Sequence, residues 1–483
     1  MSASLHPLRI CFVAYRGNMQ CGGQGVYLWF LARELARMGH EVDVIVGPPY
    51  PDPMPFAGEL WPVENEQFWA RWFQRDWASF LPRDAPLRVF HPLHFYELAA
   101  SRLGFLPEPF AFSLRAFARV ARGLRSGRRW DLVHDVQCLG WGLLGIRALG
   151  LPVVTTVHHP LSVDRRASFA RDESLVDAIG TAQFYPLGMQ AQVARRLDRV
   201  LTSSRASAQE IQRDFGVAPG RLRNVGNGLD TELFRPDPTL EKAAAELLCV
   251  GRASDPNKGI HSLLRALSQL PSHVRLTLVD SPGSSARRWA RELGCGDRLQ
   301  LAGRVSTAEL IRLYQRATLL VVPSRYEGFG LPAVEAMACG TAVVACAAGA
   351  LPEVLETTGG GVLVPPDDPR ALARTVADLL EQPATRARLA HQARERVVAA
   401  YAWPRVARRT AEVYREVLVE AAASGRGWPE RITTSASPGS RRASQSTPRS
   451  ASDAAAGGRA WIPRVQAGRP QPRETPSTSW SAR

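Results

Sequence analysis

Two glutamates, eight residues apart, mark the segment of this chain best suited to chemistry. Glu327 and Glu335 lie in the stretch PSRYEGFGLPAVEAMACG, residues 323–340. Glu327 follows the apolar strand pattern TLLVVPS, and the glycines after it predict a turn into a helix that carries Glu335 in its first turn. Carboxylates form strong hydrogen bonds with hydroxyl groups, so the pair predicts a ligand with sugar or ribose hydroxyls.

An anion site is expected between these glutamates. Pro332 suits the first turn of a helix, and the free N–H groups and positive dipole end at a helix start bind phosphate. Arg252 and Lys258 follow a second predicted strand in VGRASDPNKG, in a chain whose basic residues are almost all arginine. Two cations at the C-terminal end of a strand predict a bound diphosphate. They would also stabilise the negative charge of the diphosphate when it departs as a leaving group.

Three polar residues end other predicted strands. His158 and His159 close the pattern LPVVTTVHH, where strand alternation sends their side chains to opposite sides. Either histidine could also be satisfied by a loop carbonyl, an alternative that we favour for His159 and not for His158. Ser204 ends DRVLTSS, and it could contact a ligand or cap the helix that follows.

The elements around these residues predict an α/β fold. The chain opens with a strand, a glycine loop (GGQG), a helix and a second strand, which is the first unit of a doubly wound parallel sheet. The pattern restarts near residues 225–245, as the length of 483 residues also suggests. We predict Rossmann-like domains over 1–225 and 226–400, a C-terminal helix over 401–423 and a disordered tail over 424–483.

Composition narrows the class of protein. Of the net charge of +15, +7 lies in the arginine-rich residues 426–483, where a solvated segment without specific role is favoured over nucleic-acid or lipid binding. Seven cysteines include no C-x-x-C pair, which argues against zinc or a disulfide framework. The chain shows neither a signal peptide nor an apolar run that could span a membrane, so a cytoplasmic protein without specific nucleic-acid binding is expected.

An insertion in the first domain, about residues 56–129, could contact membrane. Aromatic residues recur with helical spacing from Phe68 to Phe80, and Arg115, Arg119 and Arg122 share one face of a second predicted helix. Such helices can lie in a lipid headgroup layer at the inner face of a membrane. The alternative, which we favour, is that they pack on their own domain with a solvated basic face.

Taken together, these motifs resemble the retaining glycosyltransferases of family 4, which have the GT-B fold. Glu327 and Glu335 match the family's E-x7-E element, and Arg252 and Lys258 match its G-R-x(n)-K-G element. The resemblance covers most of residues 8–420. It departs at Ala342, where the family usually has proline, and in the 56–129 insertion, which leaves the acceptor open.

The resemblance implies two Rossmann-like domains that face each other across a cleft, with a C-terminal helix that returns to the first domain. It also implies that the donor is a nucleotide sugar. It implies that Glu335 binds the donor ribose, that Glu327 holds hydroxyls of the transferred sugar, and that Arg252 and Lys258 hold the diphosphate. His158 would lie near the transferred sugar. The same resemblance implies further donor contacts: backbone N–H groups of Phe329, Gly330 and Leu331, and close backbone approach at Gly22 and Gly23.

The function predicted is metal-independent transfer of a sugar, with retention, to a sugar, glycolipid or small-molecule acceptor. No D-x-D motif is present to bridge a metal to the diphosphate. An epimerase or phosphorylase of the same fold is an alternative, although Lys242 and Lys258 leave almost no candidate for a pyridoxal lysine. A non-catalytic sugar-binding or basic surface-binding scaffold is the other alternative, which the intact donor motifs disfavour.

Overall fold

A computed structural model describes residues 6–19, 23–65, 86–169, 175–281 and 283–425. Within these ranges the chain forms two parallel sheets with helices on both faces, which confirms the predicted fold class. The tail prediction for 424–483 and the aromatic pattern at Phe68–Phe80 lie outside the described residues, apart from Ser424 and Gly425. The exact domain boundaries stay predictions.

The first sheet has seven strands in the order β3-β2-β1-β4-β5-β6-β7. The strands in its interior are almost entirely buried, as parallel sheets covered by helices require, whereas the edge strand Glu59–Pro62 is mostly exposed. The strands are β1 (Arg9–Ala14), β2 (Glu41–Val46), β3 (Glu59–Pro62), β4 (Leu132–Val136), β5 (Val153–Thr156), β6 (Arg199–Thr202) and β7 (Leu222–Asn224).

The second sheet has six strands in the order β10-β9-β8-β11-β12-β13. They are β8 (Glu246–Val250), β9 (Arg275–Val279), β10 (Leu299–Leu301), β11 (Leu319–Val322), β12 (Val343–Cys346) and β13 (Gly361–Val364). In both sheets the first strand of the unit lies in the interior, beside the point where the strand order reverses. Ligands of doubly wound sheets bind in the crevice at that point, so the loops after β1 and β8 are well placed for a site.

Sixteen α-helices cover the sheets in the described ranges. The first eight are α1 (Gly23–Arg37), α2 (Pro92–Arg102), α3 (Glu108–Arg125), α4 (Gly142–Ala148), α5 (Leu161–Phe169), α6 (Leu175–Phe184), α7 (Leu187–Ala194) and α8 (Arg205–Phe215). The other eight are α9 (Ile260–Leu267), α10 (Ala286–Glu292), α11 (Thr307–Arg316), α12 (Leu331–Ala338), α13 (Leu351–Thr358), α14 (Pro369–Leu380), α15 (Pro383–Tyr401) and α16 (Trp403–Ala423). No helix among the described residues is both long and apolar enough to cross a bilayer.

The last helix, α16, returns to the first sheet. Trp403 and Tyr414 are buried in one cluster with Phe12 of β1 and Tyr27 of α1. The ring of Trp403 stacks on Phe30 with centroids 5.6 Å apart and nearly parallel planes. The C-terminal helix is therefore part of the core around β1, although more than 350 residues separate the two in the chain.

The arginine helix of the insertion forms as α3, but two of its arginines are engaged within the protein. Arg115 makes a two-pronged ion pair with Glu97, at 2.6 and 2.7 Å, and both side chains are largely buried. Arg119 lies over the ring of Trp61, 4.7 Å from its centroid. The expectation that the basic face is solvated is therefore wrong for Arg115, whose ion pair with Glu97 joins α2 to α3.

Candidate active site

A charged pair stands where the loops after β8 and β11 meet. Lys258 Nζ donates to Glu327 Oε1 at 2.7 Å, and the Ser324 hydroxyl donates to the same oxygen at 2.8 Å. Glu327 is only 8% exposed. Burial alone would lower the pKa of Lys258, but the Glu327 carboxylate outweighs this and raises that pKa, so the amine stays charged.

Gly259 allows these two loops to approach. Its φ of 61° lies in the left-handed region, and a Cβ there would be 2.0 Å from the Pro323 carbonyl oxygen. Any other residue would push the short turn Pro256–Lys258 away from β11. The glycine after Lys258 is therefore what brings the lysine to Glu327.

Arg252 belongs to the same loop as Lys258, and its side chain is exposed. The neighbouring N–H of Ala253 donates to Asp280 at the end of β9, which anchors the start of this loop to the sheet. The structure thus brings Arg252 and Lys258 to one edge of the second sheet, as expected. Their role in holding a diphosphate stays a prediction.

Glu335 lies on the other side of the turn that starts α12. It is the fifth residue of the helix, at the start of the second turn, so the expected position in the first turn is wrong by about one residue. The hydroxyl of the buried Tyr314 donates to Glu335 Oε2 at 2.7 Å. Burial raises the pKa of Glu335 to about 7, and the Tyr314 hydrogen bond opposes part of that rise.

Phe329, Gly330 and Leu331 form the turn between the two glutamates. Gly330 is the N-cap of α12 with φ of 91°, and its Cβ would meet Leu351 at 2.9 Å. Phe329 is buried against Tyr401, with ring centroids 5.2 Å apart. The first N–H groups of a helix have no acceptor within it, so this turn presents backbone donors between Glu327 and Glu335.

His158 is half-buried where the first domain meets this turn. Its ring packs edge-on against Tyr27, with centroids 4.8 Å apart, and its backbone N–H donates to Gln137 Oε1. Burial, assisted by nearby His159, lowers the pKa of His158 to about 3, so the ring is neutral near pH 7. Its Nε2 atom is buried and has no hydrogen-bond partner among the residues that the structure describes, so a ligand could supply one.

His159 has a partner within its own domain. Its Nε2 lies 3.1 Å from Asp164 Oδ2 of α5. Burial works against a charged ring, but the carboxylate more than offsets it and raises the pKa of His159. The ring of His159 therefore has a hydrogen-bond partner within the protein, which is the alternative that we favoured from the sequence. The partner is a carboxylate, however, and not the expected loop carbonyl.

The glycine loop after β1 is only partly described. Gly22 lies outside the described residues, and a Cβ on Gly23 would meet no protein atom within 4 Å. Packing requires glycine instead at Gly25, where a Cβ would lie 2.2 Å from the Asn18 carbonyl oxygen. The protein itself therefore does not demand glycine at Gly23, and its role beside the donor stays a prediction.

Ser204 caps α8, as one of its two readings predicted. Its hydroxyl oxygen accepts from the N–H of Ser207 at 2.9 Å. The same hydroxyl donates to the carbonyl oxygen of Gly328 at 2.7 Å, across the two domains. Sequence reasoning missed Ser207 and Tyr314, since their partners Gly328 and Glu335 are distant in the chain. It also missed Ser324, although its partner Glu327 is only three residues away.

A buried polar chain lies behind His158. Tyr27 and Thr156 share a hydrogen bond of 3.0 Å, and Thr156 lies 2.7 Å from His134 Nε2. His134 Nδ1 meets the hydroxyl of Tyr414 in α16 at 2.5 Å. Burial lowers the pKa of His134 to about 3, so this chain is uncharged and joins the C-terminal helix to the residue that packs on His158.

No three His, Cys, Asp or Glu side chains gather to hold a metal ion in the part of the chain that the structure describes. The six cysteines in that part are free and buried, which agrees with the expectation that most are core residues.

Two family profiles cover the two halves of the chain. The family described as Glycosyltransferase Family 4 matches residues 21–233, and that described as Glycosyl transferases group 1 matches residues 230–396. The MMP α-(1→4)-mannosyltransferase of Mycolicibacterium hassiacum is 38% identical over 422 residues, which are 86% of this chain and 100% of the relative. The D-inositol 3-phosphate glycosyltransferase of Thermobispora bispora is 31% identical over 433 residues, with 83% and 91% covered.

Solved structures share the architecture. Sucrose-phosphate synthase from Thermosynechococcus elongatus superposes with a TM-score of 0.63 at 25% identity, over 85% of this chain and 100% of the solved one. Anabaena HepE in complex with UDP-glucose gives a TM-score of 0.60 at 20% identity, over 85% and 100%, and supports the fold alone. With both halves matched and the GT-B architecture in place, the chain belongs to glycosyltransferase family 4.

Proposed function

We propose that this glycosyltransferase moves a hexose, with mannose the first candidate, from a nucleoside-diphosphate donor to a hydroxyl acceptor, with retention and without a metal. The observation that carries the proposal is the Lys258–Glu327 pair beside the turn that starts α12, with Glu335 on its other side. Mannose is suggested by the 38% identical relative, whose name specifies an α-(1→4)-mannosyltransferase.

Each charged group has a task in this proposal. Lys258, Arg252 and the first N–H groups of α12 would stabilise the negative charge of the departing diphosphate, since such preorganised donors act where charge develops. Glu327 and Glu335 would accept hydrogen bonds from sugar and ribose hydroxyls. The neutral ring of His158, whose Nε2 has no partner within the described ranges, would form a hydrogen bond with a hydroxyl of the transferred sugar.

Retention is proposed because the α-linked product named for the relative matches the α linkage of common mannose and glucose nucleotides. Metal independence is proposed because Lys258 and Arg252 supply the positive charge that a bridging cation would bring. The acceptor is proposed to be a sugar, a glycolipid or another small molecule with a hydroxyl group. A cytoplasmic location stays a prediction, and peripheral contact with anionic membrane stays the less favoured reading of the 56–129 insertion.

The test is a screen of GDP-mannose, UDP-glucose, UDP-galactose and ADP-glucose, first by thermal shift and then by release of nucleoside diphosphate. A ligand that binds only the native state raises the melting temperature. The preferred donor is then incubated with candidate mannosides and glucosides, and the anomeric configuration of the product is read by NMR. A β-linked product from an α-linked donor would refute retention, and no turnover of any donor would favour the non-catalytic scaffold.

A further inference from the structure

Two serines of the first domain bind the peptide group that begins the donor turn of the second. The Ser204 hydroxyl donates to the Gly328 carbonyl oxygen at 2.7 Å, and the Ser207 hydroxyl approaches the same oxygen at 3.0 Å. Ser203 lies farther away, at 3.4 Å. The Ser204 hydroxyl is the direct donor to this oxygen, while the single proton of the Ser207 hydroxyl is shared between it and the carbonyl oxygen of His158, 2.8 Å away.

These bonds are buried and well anchored. Ser204 is 1% exposed, and Ser207 is fully buried. The Ser207 hydroxyl also lies 2.8 Å from the carbonyl oxygen of His158. A Cβ on Gly328 would come within 3.2 Å of that His158 oxygen, so a bulkier residue would crowd this contact.

A carbonyl that is held in place fixes the direction of the neighbouring N–H. The peptide group is planar and trans, so the Gly328 C=O and the Phe329 N–H point in opposite directions. By binding the oxygen, the serines set where the Phe329 N–H points. Phe329 itself is clamped on its other side, because its ring is buried against Tyr401.

We propose that Ser204 and Ser207 are positioning residues that orient the Phe329 N–H toward the donor only when the two domains are closed. The inference rests on the proposed function, in which that N–H binds the donor. Separation of the domains would break both hydroxyl bonds and free the peptide to rotate. Domain closure and donor recognition are thereby coupled through a single peptide group.

A second link between the same elements supplies a matched control. Arg205, between the two serines, pairs with Glu353 at 3.1 Å and Glu356 at 2.8 Å, both in α13. It joins the domains without touching Gly328. If the serines only held the domains together, loss of the Arg205 side chain would have a similar effect.

The test compares Ser204→Gly, Ser207→Ala, Arg205→Ala and Ser204→Thr in the full chain. Glycine at an N-cap costs a helix only a few tenths of a kcal/mol relative to serine, so Ser204→Gly removes the hydroxyl while largely preserving α8. The readouts are kcat/KM for the donor that wild type uses fastest, KM for the acceptor, and melting temperature.

Each serine variant is expected to lose about tenfold in kcat/KM for the donor, the effect of one hydrogen bond. For Arg205→Ala and Ser204→Thr, kcat/KM for the donor is expected to stay within about twofold of wild type. The KM for the acceptor is expected to be unchanged in all four variants. The inference would be overturned if the serine variants kept the kcat/KM of wild type for the donor. It would also be overturned if Arg205→Ala lost as much kcat/KM as the serine variants. Absence of turnover in wild type itself would instead refute the proposed function.

Discussion

Replacing Glu335 by glutamine should stabilise the protein and inactivate it at the same time. In the native state burial raises the pKa of Glu335 from 4.5 to about 7, even though Tyr314 donates a hydrogen bond to it. Glutamine keeps an oxygen that can accept from Tyr314, but it carries no charge. The substitution therefore removes the cost of holding a buried carboxylate and keeps the local hydrogen bond.

The magnitude follows from linkage between proton binding and folding. Because the native state binds the proton more tightly than the unfolded chain, the free energy of unfolding falls as pH rises through the window from about 4.5 to about 7. With these two pKa values the ionisation penalty is about 1 kcal/mol at pH 5 and about 3 kcal/mol at pH 8. The advantage of Glu335→Gln should therefore grow by about 2 kcal/mol between the two pH values.

Thermal unfolding followed by calorimetry at pH 5 and pH 8 measures this difference. An unfolding entropy of about 2 cal/mol/K per residue over roughly 400 residues converts about 2 kcal/mol into a shift of about 2 to 3 °C. Glu395→Gln, at an exposed position of α15, controls for the loss of one negative charge. A shift in melting temperature that is the same at both pH values would refute the burial argument.

Activity of the same variant tests the role of the carboxylate. Loss of one preorganised contact typically costs about 3 kcal/mol of transition-state stabilisation, roughly a hundredfold in rate. A residue that lowers stability in the native protein but is needed for turnover follows the usual trade-off at functional sites. Full kcat/KM in Glu335→Gln would remove Glu335 from the donor site.

Four further outcomes are expected. Lys258→Met should lose about a hundredfold in turnover, whereas Lys242→Met, at the chain's other lysine, should not; equal loss in both would contradict the assignment. His158→Phe should lower kcat without changing the shape of the pH–rate profile between pH 5 and 8, because the pKa of His158 lies at about 3. Turnover should be the same in EDTA and in magnesium, and a loss that magnesium restores would refute metal independence. If the protein binds anionic vesicles through α3, co-sedimentation should weaken in Arg122→Glu with Arg125→Glu, whose side chains are exposed; binding that these changes leave intact would exclude α3 as the contact.

The fold was largely predictable because its strands are short apolar runs separated by glycine turns and amphipathic helices. The segment around Glu327 was predictable for a related reason: strand, turn and helix start follow one another in the chain. Lys258 could be singled out by its type in an arginine-rich sequence. These signals are local, so one sequence is enough to reveal them.

Contacts between distant residues were not predictable in this way. Nothing in the sequence pairs Lys258 with Glu327 directly, since the approach depends on Gly259 lying against Pro323. The placement of Arg115 failed for the same reason, because its partner Glu97 belongs to another helix. Helical spacing assigns a face to a side chain, but tertiary packing decides whether that face meets solvent.

The return of α16 to the first sheet has a consequence for biosynthesis. A ribosome makes β1 and α1 first, yet Phe12 and Tyr27 gain Trp403 and Tyr414 as neighbours only after nearly all of the second domain has been made. Until then, apolar surface of the first domain stays uncovered on the nascent chain. The second sheet, whose strands all lie within residues 246–364, can be completed earlier. The domain that begins first is thus the one that finishes last, and a fragment ending near residue 225 lacks part of its own interior.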